Sequence, residues 1–338
     1  MNLNNTSNKV GVIGAGAFGT TIANLLAHNT DVLLYTRDPE KVEQMQETGI
    51  SLGQRLASNI AVTSSLEDVT ERCNIIFPLI PSEGLQELLC QLAPLLHADH
   101  MLIHGIKGLY ISPGCDAHKP HLTRKDVYTM SELIMQKTSI QQVGYIGGPN
   151  LAEELALGLL AGVIVASPSS VVRQTGKRLL ASPQLAVDTD ADIIGIELCG
   201  VLKNIIAIGT GYLTGLGQGE NARAMFISRG LVDIVQMGVA MGAQQASFLT
   251  IAGVGDLIAT CNSSLSRNYT LGYQLAQGKS LEVIRNEGQL MAEGVKTVAT
   301  IHSLAKTYAI HVPVVEMVYK VLFESLSAEE SMRQLMQS

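Results

Sequence analysis

KVGVIGAGAFGTTIANLLAH, Lys9 to His28, is the stretch from which the fold of this chain is read. Lys9–Ile13 is a short apolar run, and TTIANLLAH carries the apolar spacing of a helix. Between them stands Gly14-Ala15-Gly16-Ala17-Phe18-Gly19. In such a strand, turn and helix the three glycines have separate tasks. Gly14 permits the tight turn, Gly16 lets the backbone approach a pyrophosphate, and Gly19 allows close helix–strand packing. The helix N-terminus then offers free N–H groups and a positive dipole end to phosphates. A lone glycine pattern is also compatible with a structural turn. Here its place between strand and helix favours a dinucleotide site.

Outward from that turn, Asp31–Thr36 (DVLLYT) reads as the second strand. An NAD-selective site usually ends this strand with an acidic residue for the ribose 2′-hydroxyl. This chain has Thr36-Arg37-Asp38-Pro39 instead. Arg37 suits a 2′-phosphate, whereas Asp38 either reads the ribose or caps a helix beginning at Pro39. The cofactor is therefore NAD or NADP, with Arg37 pointing towards NADPH. Further apolar runs lie at 74–80, 101–105, 143–146, 162–166 and 185–187, mostly separated by helical segments. The alternation predicts an α/β domain, a Rossmann-like, mostly parallel sheet with helices on both faces.

Ligands of such sheets bind beyond the carboxyl ends of the strands. Phe77-Pro78-Leu79-Ile80-Pro81-Ser82 closes the fourth strand, and His104-Gly105-Ile106-Lys107-Gly108 closes the fifth. Lys107 is thus placed either to meet an anion or simply as an exposed loop lysine. Residues 111–126, rich in Pro, Gly and His, read as an irregular excursion, and His118 and His121 within it as solvated. Gly147-Gly148-Pro149-Asn150 precedes a helical LAEELALG, with Asn150 as the expected N-cap and Glu153 at N3.

Near Asp190 the pattern changes, and no convincing strand follows. The expected organisation is a dinucleotide-binding domain over 1–189 and an all-α substrate and catalytic domain over 190–338. The second domain opens on IELCGVLKNIIAIGTGYLTGLGQG, Ile196 to Gly219, in which Lys203 is the one charged side chain between Glu197 and Glu220. The apolar spacing predicts a largely buried helix. Lys203 then shares a face with Cys199, Gly200, Ala207 and Thr210. An unpaired buried ammonium is costly, so a carboxylate, an anionic ligand or a lowered pKa must accompany it. Either this lysine moves protons near neutral pH, or its stem packs while its head reaches water.

Three other clusters stand out downstream. Ala252-Gly253-Val254-Gly255-Asp256-Leu257-Ile258 sets an acid after glycines, where Asp256 on its own reads as a helix cap. Leu265-Ser266-Arg267-Asn268-Tyr269 presents hydroxyl, guanidinium and amide in succession, which suits phosphate oxygens or a polar helix start. Ala292-Glu293-Gly294 reads as a helix entrance, with Glu293 free to bond a sugar or amide.

Composition narrows the classes. A chain of 338 residues accommodates two domains. A formal charge of −7 argues against a broad nucleic-acid surface. No window reaches the unbroken apolar length of a membrane span, because Lys203 and Asn204 interrupt the best candidate. The polar start MNLNNTSN lacks the apolar core of a signal peptide. Five scattered cysteines without a CxxC read as free thiols of a reducing cytoplasm. The histidines show no metal-ligand spacing, so no metal is expected.

Taken in order, GxGxxG, IPS, IKG, GGPN, GVLKNIIAIGTG, GENAR, AGVGDLIATC, SRN and AEG resemble the soluble, bacterial-type NAD(P)-dependent glycerol-3-phosphate dehydrogenases. The resemblance runs from about Lys9 to Lys320. It implies reversible hydride transfer between dihydroxyacetone phosphate and sn-glycerol 3-phosphate, for glycerophospholipid synthesis in the cytoplasm, by a homodimer. It places Lys203 as the catalytic lysine with Asp256 beside it. Lys107, Gly148, Asn150, Lys203, Asn204, Asp256, Ser266, Arg267 and Asn268 fall at substrate positions. Gly14, Gly16, Ala17, Phe18, Gly19, Arg37, Lys107, Ala152, Arg267, Met291 and Glu293 fall at cofactor positions. Ala17-Phe18 departs from the family's usual serine followed by Trp or Tyr, Phe77-Pro78 from its plain apolar strand, and Gly147 from a common serine. The rival readings are a β-hydroxyacid dehydrogenase, a nucleotide-sugar dehydrogenase using Cys199 or Cys261, and a non-catalytic dinucleotide sensor.

Overall fold

The structure, a computed structural model, describes residues 9–117, 121–286 and 293–337. The chain divides into two compact units. The first comprises the chain to Ile106 together with Met130–Ile193, and the second Lys107–Thr129 together with everything from Ile194 onward.

An eight-stranded sheet carries the first unit. Its strands are β1 (Val10–Ile13), β2 (Val32–Tyr35), β3 (Ile60–Thr63), β4 (Ile75–Pro78), β5 (Met101–His104), β6 (Gln142–Gly147), β7 (Ala161–Ala166) and β8 (Leu185–Asp190). Their spatial order is β8-β7-β6-β5-β4-β1-β2-β3. All neighbours are parallel except β6 and β7. The sheet is therefore mixed but mostly parallel, as the alternation of elements predicts. β1 pairs with β2 on one side and β4 on the other, so the chain order reverses at the carboxyl end of β1. Such a reversal opens a crevice there for a ligand. Val10, Val12 and Ile13 are buried, as a central strand covered on both faces requires.

The second unit is helical from Ile194 onward among the described residues. Its axis is the helix Ile193–Gly215, long and apolar enough to cross a membrane by length and composition, yet with 94% of its apolar 18-residue window buried within the protein. An all-round apolar helix belongs in the centre of a core. Leu198, Leu202, Ile205 and Leu213 on this helix join Phe226, Phe248, Leu257, Val298 and Ile301 from other helices. The glycines of its second half serve a helix crossing. A Cβ at Gly211 would lie 1.9 Å from the Tyr269 carbonyl oxygen, and one at Gly272 1.8 Å from that of Ile208. Only glycine at both places lets the helix Arg267–Ala276 approach backbone to backbone.

Two expectations are corrected. The division falls between Ile193 and Ile194, not at 189/190, and the segment 107–129 groups with the helical unit. That segment is a hairpin, Leu109–Ile111 paired with Val127–Thr129, and its Leu109, Leu122 and Val127 sit in the helical core. Asn150 is not an N-cap. The helix Ala152–Ala156 begins two residues later, with Leu151 at the cap position and no side-chain cap bond. Met291, Ala292, His118 and the first eight residues lie outside the described residues.

Candidate active site

In the first unit the glycine turn has the form its sequence dictates. Gly14 has φ +117°, and a Cβ there would lie 2.5 Å from the Leu79 carbonyl oxygen. A Cβ on Gly19 would lie 1.8 Å from the Gly14 carbonyl oxygen, which is the close helix–strand contact expected. At Gly16 the same atom would meet nothing within 4 Å, leaving open space where a pyrophosphate would approach. Gly16 is also the N-cap of the helix Ala17–Ala27 and supplies no side-chain cap, so the first amides remain available. A cavity of about 970 Å³ runs from Gly14 and Gly16 to Thr36 and Arg37. Its size and its open glycine suit a dinucleotide. Asp38 caps the helix Pro39–Thr48 through the Glu40 amide, 3.1 Å away, so its carboxylate is committed to the capping alternative. Arg37 is exposed at the cavity wall.

Phe18 packs over the end of β5, where a Cβ on Gly105 would lie 2.9 Å from its ring. His104 ends that strand fully buried, with Nε2 2.8 Å from Ser131 Oγ and Nδ1 accepting from the Ile106 amide. Burial pushes His104 down to about 3, so the imidazole stays neutral. Gly148, at φ +134°, and buried Asn150 follow β6. Ala152 starts the next helix, its carbonyl 3.4 Å from Thr21 Oγ1.

In the second unit Lys203 projects from the buried helix and is 4% exposed, which excludes a head reaching water. Its Nζ donates to Asp256 Oδ1 and, at 2.7 Å, to Thr260 Oγ1. Asp256 Oδ2 accepts from Lys107 Nζ at 3.4 Å. Thr260 Oγ1 in turn donates to Asp256 Oδ1 at 3.3 Å. Asp256 therefore does not cap a helix. It is the first residue of the helix Asp256–Cys261, and its carboxylate bridges two lysines. The preceding π-helical turn, Ile251–Gly255, aims it. Gly253 makes that turn possible, since a Cβ there would lie 2.2 Å from the Phe248 carbonyl oxygen.

Desolvation lowers the Lys203 pKa to about 7, helped by the charge of Lys107 and opposed by Asp256. The group thus exists in both protonation states near neutrality. Thr260 lies within the motif AGVGDLIATC, but the sequence reading gave it no role. Its signal was the i, i+4 spacing from Asp256, which stacks the two side chains on one helix face.

The remaining residues of the second half lie around this centre or near the crossing helix. Asn204, next to Lys203, is buried. Ser266 caps the helix Arg267–Ala276 by accepting from the Tyr269 amide at 3.3 Å. Asn268 Oδ1 accepts from the Gly294 amide at 3.1 Å, one residue after Glu293 opens the helix Glu293–Tyr308. Arg267 stays exposed at the helix start. Cys199 and Cys261 are buried, and burial pushes the Cys261 thiol up to about 12, which removes it as a nucleophile.

A dinucleotide cradle on a mostly parallel sheet, with a buried lysine held by a carboxylate in a helical unit, defines a nicotinamide-dependent dehydrogenase. Residues 9–172 match the N-terminal family of NAD-dependent glycerol-3-phosphate dehydrogenases, and residues 192–333 the C-terminal family. The chain is 36% identical over 335 residues to glycerol-3-phosphate dehydrogenase (NAD(P)+) of Geobacter sulfurreducens, covering 98% of this chain and 97% of that one. The crystal structure of glycerol-3-phosphate dehydrogenase from Coxiella burnetii superposes with a TM-score of 0.86 at 29% identity, over 98% of this chain and all of that one. The Saccharomyces cerevisiae glycerol-3-phosphate dehydrogenase does so with a TM-score of 0.84 at 25% identity, over 97% and 99%. The chain belongs to the NAD-dependent glycerol-3-phosphate dehydrogenase family. It is an oxidoreductase that uses NAD(P).

Proposed function

We propose that Lys203 is the general acid and base of a reversible reaction between dihydroxyacetone phosphate and sn-glycerol 3-phosphate. The observation that carries the reading is the buried Lys203–Asp256 pair with its lysine poised near pH 7. The nicotinamide, when bound, supplies or takes the hydride. In reduction, the ammonium of Lys203 gives a proton to the carbonyl oxygen as the carbon becomes an alcohol. In oxidation, the neutral amine removes the hydroxyl proton. Asp256 and Thr260 hold Nζ in place through both states. Arg267, with Ser266 and Asn268, takes the phosphate, so binding energy remote from the reacting carbon orients it. Lys107, Gly148, Asn150 and Asn204 complete the substrate contacts.

Gly14, Gly16, Ala17, Phe18 and Gly19 hold the dinucleotide, with Ala152, Glu293 and the shared residues Lys107 and Arg267. Met291 belongs to the same set by resemblance. Arg37 favours NADPH, a preference supported by the engagement of Asp38 in capping. The enzyme works in the cytoplasm as a homodimer and feeds glycerophospholipid synthesis, as its family resemblance suggests. The test follows reduced-nicotinamide absorbance with dihydroxyacetone phosphate, with NADH and NADPH in parallel. Turnover that is faster with NADPH, and loses that bias in Arg37→Ala, supports the reading. No turnover with either, from protein that binds cofactor, refutes it.

A further inference from the structure

One imidazole bonds to both arms of the excursion 107–129 where they join the sheet. The chain leaves the first unit after Ile106 and re-enters it at Met130. His104 closes β5 two residues before the exit. Its Nδ1 accepts from the Ile106 amide at 3.3 Å, and its Nε2 lies 2.8 Å from Ser131 Oγ. Ser131 is the second residue of the helix Met130–Lys137, one step past the point of return. A single side chain thus ties the two arms together at their base.

His104 is fully buried, and so is Tyr145, its register partner on β6, whose ring lies 5.1 Å away. With Nδ1 accepting, the neutral ring carries its proton on Nε2 and donates it to Ser131. Burial pushes His104 down to about 3, so this tautomer persists across the working pH range. An aromatic hydrocarbon here would pack as well and need no partners. What the imidazole adds is direction. It fixes the Ile106 amide, while the Gly105 amide is fixed by its own bond to the Pro78 carbonyl at 3.4 Å. Lys107 follows immediately, and its Nζ reaches Asp256 Oδ2 at 3.4 Å.

We infer that His104 and Ser131 are positioning residues for the reaction, holding the backbone from which Lys107 reaches Asp256 and so setting how closely the Lys107 charge approaches Lys203. The inference rests on the proposed reading of Lys203 as the titrating acid and base. Facing Lys203 are Asp256, Thr260 and Cys261 of one helix and Lys107 of the excursion. Of these, Lys107 is the one carried on the backbone that His104 holds.

Single-turnover reduction of dihydroxyacetone phosphate tests it, followed from pH 5 to 9 in His104→Phe, which keeps a ring against Tyr145, and in Ser131→Ala. A like charge that withdraws by about 1–2 Å from about 5 Å changes a pKa by about half a unit at an effective dielectric of about 20. The Lys107 charge lowers the Lys203 pKa, so the limb should move upward by that amount, an about threefold change in proton affinity. Each substitution is repeated in Lys107→Met, where it should add nothing. An upward shift in either folded variant that vanishes in the Lys107→Met background supports the inference. Limbs that stay in place in the folded variants would overturn it, as would a shift that persists undiminished without Lys107, the mark of a merely structural loss. Should His104→Phe not fold, Ser131→Ala decides alone. If Lys203→Ala turned over normally, the reading of the site would fall first, and this inference with it.

Discussion

Replacing Thr260 by valine keeps the side chain's shape and removes the hydroxyl that accepts from the proposed proton donor and donates, over a longer 3.3 Å, to Asp256. Thr260 Oγ1 accepts from Lys203 Nζ at 2.7 Å in a buried site. A hydrogen bond to a charged group contributes about 1.5–3 kcal/mol. The neutral amine retains part of that bond in the parent, so the difference between the two states is about 1.5 kcal/mol, or roughly one pKa unit. The Lys203 pKa, already lowered by desolvation to about 7, then falls by roughly a further unit. At pH 7 the protonated fraction drops from about half to about a tenth, and reduction slows roughly fivefold while oxidation gains at acid pH. The assay is single-turnover kinetics from pH 5 to 9 in both directions, so that product release does not mask the chemical step. Both limbs should move to lower pH together. Limbs that stay in place, in a Thr260→Val protein with the parental melting temperature, would show that Lys203 is not the titrating group or that the hydroxyl does not stabilise its charge.

Lys203→Ala should lose several orders of magnitude in turnover while cofactor affinity by fluorescence survives, and near-normal turnover in folded protein would sink the assignment. Lys107→Met should move the pH limb upward, opposite to Thr260→Val, because the Lys107 charge lowers the Lys203 pKa; a downward shift would contradict the electrostatics. Arg267→Ala should raise the KM for dihydroxyacetone phosphate far more than it lowers kcat, and an unchanged KM would remove Arg267 from the phosphate site. Stability should also report on Lys203. Its folded pKa lies below that of the unfolded chain, so between about pH 7 and about 10.5 unfolding takes up a proton and stability rises with pH. Denaturant titrations of Lys203→Met should lack that component of the slope, and an identical pH dependence in both proteins would refute the burial argument.

The glycine turn was legible because each of its glycines answers to a local constraint. Gly14 needs positive φ, Gly19 needs contact with the Gly14 carbonyl, and both constraints act within six residues of sequence. The buried helix was legible for a similar reason, as composition alone decides burial over so long an apolar run. The partner of Lys203 was not. Nothing near Asp256 distinguishes a capping carboxylate from one that bridges Lys203 and Lys107, because the pairing depends on how two distant helices are packed. Family resemblance gave the pairing where periodicity was silent. The segment 107–129 shows another limit. Its paired strands are three residues each, and its core residues Leu109, Leu122 and Val127 follow no period, so sequence proximity to β5 wrongly kept it with the sheet. Asn150 misled by resembling a cap two residues ahead of the helix that forms.

The placement of the lysine on a largely buried helix bears on the proposed chemistry directly. A surface lysine would keep its ordinary pKa and at pH 7 would almost never be available as a base. Burial alone would overshoot, leaving a neutral amine with no proton to give. The observed centre sets these effects against each other. Desolvation and Lys107 favour the amine, whereas Asp256 and Thr260 favour the ammonium. A balance near neutrality needs a carboxylate held at a fixed position, because electrostatic energy in a buried site changes steeply with distance. That requirement gives a reason for the π-helical turn. Thr250 accepts from the Gly253 amide, Gly253 has no room for a Cβ, and the turn so fixed ends at Asp256. On the proposed role of Lys203, the glycine turn that fixes Asp256 contributes to keeping one lysine usable as both acid and base.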